Sequence, residues 1–159
     1  NYWDQNGNYL LHDLGHEDDE SFLYIGGRSD DVINISGHRV STAEIESTFL
    51  SFDTRISESA AVELNDDITG SKLALFYVLA SKEDQDLEPR RIKSFLSSKL
   101  STYHKPWKVI RIGCLPKTKS GKIARRLLKY ALSKNKPKSS DDLSTITNYR
   151  EFLVSLEKL

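Results

Sequence analysis

The run KLALFYVLA, residues 72–80, carries one charge at its first position and is apolar almost throughout the rest. A strand with one wet face alternates apolar and polar side chains, whereas a run without that alternation needs cover on both faces. It is also well short of the roughly 18 apolar residues that span a bilayer. A chain built around this segment must therefore supply partner strands and a covering layer on each side. Partner strands are available in SAAVEL (59–64), set apart by the turn-like NDDITGS, and in WKVIRIGCL (107–115).

The covering layers are legible as helices. In RSDDVINISGHRVSTAEIESTFLSF, Val32, Ile33 and Ile35 suit a strand closed by a turn at Ser36-Gly37. A helix then starts at Ser41, with Ser41 and Glu44 as a capping box and Val40 with Ile45 as the hydrophobic staple. Ile45 and Phe49 share its buried stripe. EPRRIKSFLSSKL (88–100) is a second amphipathic helix with Pro89 in its first turn. KIARRLLKYAL (122–132) is a third, with Ile123, Leu127, Leu128 and Ala131 inward, and YREFLVSLEKL closes the chain as a short fourth. At the other end, FLYIGG (22–27) reads as a strand, HEDDES as an acidic loop and Asn6-Gly7 as a turn between extended segments. NKPKSSDD reads as a linker. The fold class expected is α+β, a small central sheet flanked by helices. No repeat or low-complexity segment interrupts it.

At 159 residues the chain fits one domain, or one domain with a piece of a neighbour. It lacks methionine and opens on NYWDQNGNYL, so a piece of a longer protein is expected, and any site in it is half a site. No signal-peptide pattern precedes the first strand. The single cysteine, Cys114, has no internal partner, which favours a reducing, cytoplasmic setting. Its neighbours Ile112 and Leu115 suit a buried thiol better than a nucleophile.

Net charge is zero, but the charge is divided. Residues 1–88 hold 5 Lys and Arg against 19 Asp and Glu, residues 89–138 hold 16 and no acid, and the last 21 hold 2 against 4. Such a basic block attracts an anion: nucleic acid, anionic lipid, a phosphorylated small molecule, or the acidic half of the same chain. Aromatics are sparse in the block and no nucleic-acid-binding motif occurs, so neither nucleic acid nor membrane is the expected partner. Its densest part is PKTKSGKIARRLLK (116–129), which is not a phosphate-binding P-loop. Gly113 lies too far before Gly121, and Ile123 stands where a hydroxyl residue would hold magnesium. What remains is a lysine, Lys122, behind a mobile glycine turn, able to reach a phosphate held by another element. A plain solvated surface is the competing account of Lys117, Lys119 and Lys122.

PKTKSGKIARRLLK resembles the C-terminal signature of the adenylate-forming superfamily of acyl-CoA synthetases, luciferases and peptide-synthetase adenylation domains. GRSDDVINISGHRVSTAEIES (27–47) resembles the hinge segment of that superfamily, and the two occur in the expected order. SGHRVSTAEIE, PKTKSGKIARR and DDLSTI (141–146) are similar to the acetyl-CoA and propionyl-CoA synthetase branch. The resemblance implies the end of a large N-terminal domain at 1–29, a mobile lid at 30–138 and a C-terminal tail at 139–159. It implies ATP, coenzyme A and Mg2+ as cofactors, with most metal contacts in the N-terminal domain and no metal ligand here. Carrier-protein-dependent and medium-chain relatives are the alternatives.

By the same resemblance, Lys122 is the adenylation lysine and Asp30 the hinge. Arg28 matches an arginine at the ribose hydroxyls, and Asp13 the aspartate that closes a Tyr-x-Thr-Gly-Asp motif. Here that stretch is Tyr9-Leu10-Leu11-His12-Asp13, which keeps the ends and replaces Thr and Gly; an acidic loop residue is the alternative for Asp13. Ser36 and Gly37 match the lining of the coenzyme A tunnel, with a strand-ending turn as the alternative, and Arg39 an arginine near the nucleotide phosphate. His38 is expected to pack or hydrogen-bond. The arginine that often meets the coenzyme A 3′-phosphate falls on Ser97, with Arg91, Lys93 and Lys99 nearby. Partners implied are the chain's own N-terminal domain, a small carboxylic acid, and an acetyltransferase and deacetylase acting on Lys122.

Overall fold

The computed structural model describes residues 3–9, 13–28, 32–68, 70–83, 85–133 and 143–156. Its centre is a three-stranded sheet in the order β5-β6-β7, with β6 (Gly70–Leu79) between β5 (Ile56–Asp66) and β7 (Lys108–Arg111). β5 pairs antiparallel with β6 and β7 pairs parallel to it. The apolar run is thus the middle strand, and its alternate side chains enter two different cores. Leu73, Leu75, Tyr77 and Leu79 face one, with Ile45 and Phe49 of α1 (Thr42–Leu50) and Ile92 and Leu96 of α2 (Pro89–Lys99). Ala74, Phe76 and Val78 face the other, with Leu127 and Leu128 of α3 (Arg125–Ser133) and Phe152 of α4 (Tyr149–Leu156). The expected α+β arrangement is what the chain forms.

Two hairpins precede this sheet. In the first, β1 (Asp13–Glu17) pairs antiparallel with β2 (Leu23–Arg28) around a turn where the Asp18 carboxylate accepts the N–H groups of Glu20 and Phe22. β1 includes the first part of the stretch expected as loop. Ahead of it, Trp3 bridges Tyr9 across Asn6-Gly7, where Gly7 has φ +80°. In the second hairpin β3 (Val32–Ile35) pairs with β4 (His38–Ser41), a strand the sequence did not suggest because only Val40 of its four residues is buried. The helix start behaves as half a capping box: the Glu44 N–H donates to Ser41 Oγ at 3.3 Å. The Glu44 carboxylate turns instead toward His104 Nε2, 3.7 Å away.

A further correction concerns the third helix. It begins at Arg125 rather than Lys122, because the preceding residues form a tight hairpin whose main-chain groups are already bonded elsewhere. β7 is likewise shorter than expected: its pairing with β6 ends at Arg111 opposite Tyr77, and Ile112 N–H donates the last bond, to Tyr77 O at 2.9 Å. The expected linker lies outside the described residues. No described helix is long and apolar enough to cross a membrane.

Because Phe76 is fully buried from the central strand, Phe76→Ala removes packing that no neighbour can replace. We expect a loss of about 3–5 kcal/mol, read as a lowered urea midpoint with an unchanged slope.

Candidate active site

The basic turn is built as a hairpin with three loop residues. Gly121 N–H donates to Thr118 O at 2.9 Å, and Thr118 N–H donates to Lys122 O at 2.9 Å. Gly121 sits at φ +82°, the left-handed position that closes a turn of this kind with a bulge. A Cβ there would meet nothing within 4 Å, so glycine is needed for its torsion and not for space. Thr118 Oγ1 accepts the Lys122 N–H at 3.2 Å and lies 3.0 Å from Ser120 Oγ. Lys122 follows the glycine, exposed, with both main-chain polar groups tied to Thr118.

The hairpin is also fastened from outside. Lys119 N–H donates to Thr145 O at 3.0 Å, and Thr147 N–H donates to Lys117 O at 2.9 Å. Asn148 accepts the Lys117 N–H through Oδ1 at 2.8 Å and donates through Nδ2 to Leu115 O at 2.7 Å. Thr118 and Ile146 form an antiparallel bridge, and Ile146 is buried. These bonds join residues 115–119 of the hairpin to residues 145–148, in addition to the turn closed at Gly121. Thr118, Thr147 and Asn148 went unnoticed in the sequence. The hydroxyl three residues before Gly121 was a local signal, but the bonds from residues 145–148 join distant parts of the chain and had none.

The charges around the hairpin sort into two kinds. Lys117 Nζ lies 2.7 Å from Glu58, Arg125 Nη2 donates to both Glu46 oxygens at 2.8 and 3.0 Å, and Lys129 Nζ lies 3.8 Å from Glu63. Arg111 pairs with Asp86 at 2.8 Å. Arg111, Lys117, Arg125 and Lys129 of the basic block are thus paired with the acidic half of the same chain, one of the four partners its charge allowed. Lys122 differs. Among the described residues no carboxylate lies within 4.0 Å of its ammonium.

A second cluster lies on the β3–β4 hairpin. Its turn, Ser36-Gly37, has φ +51° and +83°, both positive, as two-residue hairpins of this hand require. A serine in the left-handed region costs roughly 1–2 kcal/mol, so Ser36 holds a conformation that glycine would adopt freely. His38 stacks on Tyr103 with ring centroids 3.6 Å apart, the packing role expected of it. Arg39 follows on exposed β4, opposite Asn34. On the first hairpin, Asp13 and Arg28 are register partners across β1 and β2, which sets two residues distant in sequence side by side; for this pair the backbone alone is described. Asp30 lies outside the described residues.

Cys114 is half-buried, and burial, with the Glu151 and Glu58 charges behind it, pushes its thiol above the ordinary range. The thiolate is disfavoured at neutral pH, contrary to what a nucleophile needs. Among the described residues no group of three or more His, Cys, Asp or Glu is disposed to hold a metal ion.

Residues 44–122 match the AMP-binding enzyme C-terminal domain. The chain is 39% identical over 145 residues to acetyl-coenzyme A synthetase 2 of Candida albicans, covering 89% of this chain and 21% of that protein. It is 36% identical over 156 residues to acetyl-coenzyme A synthetase of Chlorobaculum tepidum, covering 94% and 24%. Among solved structures, ATP-bound MatB from Rhodopseudomonas palustris superposes with a TM-score of 0.70 at 25% identity, over 80% of this chain and 25% of that one. A fatty acyl CoA synthetase of Mycobacterium tuberculosis superposes with a TM-score of 0.64 at 32% identity, over 84% and 26%. The chain therefore spans between a fifth and a quarter of the curated relatives it matches.

Two measurements test this geometry. Gly121→Ala is expected to lower stability by about 1–2 kcal/mol, seen in urea unfolding. Alkylation of Cys114 is expected to lag behind that of a free cysteine near pH 8 and to accelerate at higher pH, as the raised thiol finally ionises.

Proposed function

We propose that the chain, whose residues 44–122 match the AMP-binding enzyme C-terminal domain, is the mobile lid of an AMP-forming short-chain acyl-CoA synthetase. The reaction joins a small carboxylate to coenzyme A, with ATP cleaved to AMP and pyrophosphate through an acyl-adenylate. Acetate or propionate is the substrate class that the acetyl-coenzyme A synthetase relatives suggest. The observation that carries the proposal is Lys122: an exposed ammonium with no carboxylate within 4.0 Å among the described residues, on a hairpin of defined backbone.

In the first half-reaction the carboxylate attacks the α-phosphorus and pyrophosphate leaves. Negative charge grows on the phosphate oxygens and on the leaving group. A positioned ammonium stabilises that charge more in the transition state than in the ground state, which is the condition for catalysis. Neighbouring cations suit this role less well, since Lys117, Arg125 and Lys129 are paired with glutamates. Asp13 and Arg28, register partners across β1 and β2, are assigned to the ribose hydroxyls in this proposal. Magnesium, which ATP brings, belongs to the N-terminal domain in this proposal, and no step assigned to these residues runs through it.

For the second half-reaction the lid turns about Asp30, so that Lys122 leaves and the β3–β4 hairpin enters. Ser36 and Gly37 then line the coenzyme A tunnel, where a turn without bulk admits the thiol arm, and Arg39 meets the nucleotide phosphate. The strain held at Ser36 supports this, because backbone outliers concentrate where function fixes them. The N-terminal partner is supported by β2, whose Leu23, Tyr24 and Ile25 are all exposed. Such an apolar run on an uncovered strand is surface built for a neighbour. We place the domain boundary at residue 30, the lid at 30–138 and the tail at 139–159. A reducing cytoplasmic setting fits the single cysteine.

Lys122 is also exposed enough for an acetyltransferase, and acetylation would remove the charge that adenylation uses, with a deacetylase restoring it. In the full-length protein, Lys122→Gln is expected to slow pyrophosphate exchange with acetate or propionate about a hundredfold or more. Thioester formation from pre-made acyl-adenylate should persist and should require coenzyme A. Undiminished exchange in this variant would overturn the assignment.

A further inference from the structure

Lys122 acts at a distance from the core, so its position depends on what holds its loop. A lysine side chain has a long, freely rotating stem, and a loop that wandered would spread the ammonium over several ångströms. The main chain of Lys122 is pinned to Thr118 by two bonds, at 2.9 and 3.2 Å. Thr118 lies between Lys117 and Lys119, and both of those are held by residues 145–148. Residues 117–119 are therefore the middle of a small three-stranded patch, with 122–123 on one side and 145–147 on the other.

Asn148 is the end-piece of that patch. Its amide brackets Leu115 and Lys117 as a strand would, accepting from one and donating to the other. Its own carbonyl accepts the Phe152 N–H at 3.0 Å and so opens α4, whose Phe152 is buried in the core. The anchor of the lysine hairpin is thereby tied to the sheet. No other side chain of this size carries both an acceptor and a donor at these positions.

We propose that residues 145–148, and Asn148 above all, are a positioning strap for the adenylation lysine. Asn148 is a positioning residue: it touches no substrate and acts through the Lys117–Lys122 backbone. The proposal rests on the assignment of Lys122 to adenylate formation made above. It implies a division between half-reactions, because the strap matters only while Lys122 is at the nucleotide.

The test uses the full-length enzyme with Asn148→Ala, Asn148→Asp and, in parallel, Lys122→Gln. Both half-reactions are measured in each, with thermal unfolding and amide exchange at Lys117 and Lys119. Asn148→Ala is expected to lower kcat for pyrophosphate exchange about tenfold or more, with the KM for ATP held. Thiolysis of pre-made acyl-adenylate is retained, and exchange at the two amides rises. Asn148→Asp keeps the shape and the acceptor toward Lys117 but sets a carboxylate against Leu115 O. It should show the same split, and it decides the matter if the alanine variant does not fold. Loss of both half-reactions in equal measure would mean a merely structural residue and overturn the proposal. Intact adenylation in both Asn148 variants, beside a dead Lys122→Gln, would overturn the strap and leave the lysine's role standing. Intact adenylation in Lys122→Gln would remove that role, and the strap with it.

Discussion

The middle strand of the sheet has no face to give to water, and the rest of the molecule follows from that. Leu73, Leu75 and Tyr77 demand one layer and Ala74, Phe76 and Val78 another, so helices must lie on both sides. α1 and α2 fill the first side, and α3 and α4 the second. This segregation delivers the two candidate functional hairpins to different places. The β3–β4 turn leads into α1 on one face, whereas the lysine hairpin leads into α3 on the other. If both hairpins serve one site, as proposed above, surfaces on opposite sides of one sheet cannot both face it at once. A rotation between half-reactions is then the natural way to use them.

Charge is divided along the same lines. β5 carries Glu58 and Glu63, and Glu46 on α1 reaches across to accept both Arg125 and the Ala61 N–H at 2.7 Å. Acid early in the chain meets base late in the chain: the pairs join α3 to α1 and β5, and the lysine hairpin to β5. The more exposed Lys129–Glu63 pair contributes only about 0–1 kcal/mol, whereas Arg125 and Glu46 are part-buried. A cation already neutralised by a glutamate would have to give up that partner before it could stabilise a developing charge. Among the described residues no carboxylate holds Lys122 in this way.

How much of this was legible depended on range. The central strand declared itself through an unbroken apolar run and the helices through periodicity, and both signals are local. β4 did not, since His38 and Arg39 are exposed and the hairpin is specified by positive φ at Ser36, where serine gives little warning. The third helix was placed three residues early for an instructive reason. Ile123 sits in phase with Leu127, Leu128 and Ala131, yet the Ala124 N–H donates to Pro116 O at 2.8 Å, a bond that belongs to the hairpin. Periodicity saw the side chain and could not see the backbone. The bonds from Thr145, Thr147 and Asn148 were out of reach altogether, because their partners lie about thirty residues away in sequence, as for Lys117 and Asn148.

A lid that carries its lysine in and out of a site faces a mechanical requirement. If the loop bending at Gly121 supplied the motion, the ammonium would reach the phosphates by chance and hold them loosely. Effective electrostatic stabilisation needs the cation already in place when charge develops, with little reorganisation left to do. Glycine at φ +82° here serves a fixed turn, and the bonds from Thr118 and residues 145–148 leave that turn little freedom. In the proposal above the motion sits instead at the few residues of a hinge, where a torsion change moves the whole domain without loosening it. A stiff arm on a soft joint can repeat the same placement in every cycle, and a soft arm cannot. The segment 145–148 is what makes the arm stiff.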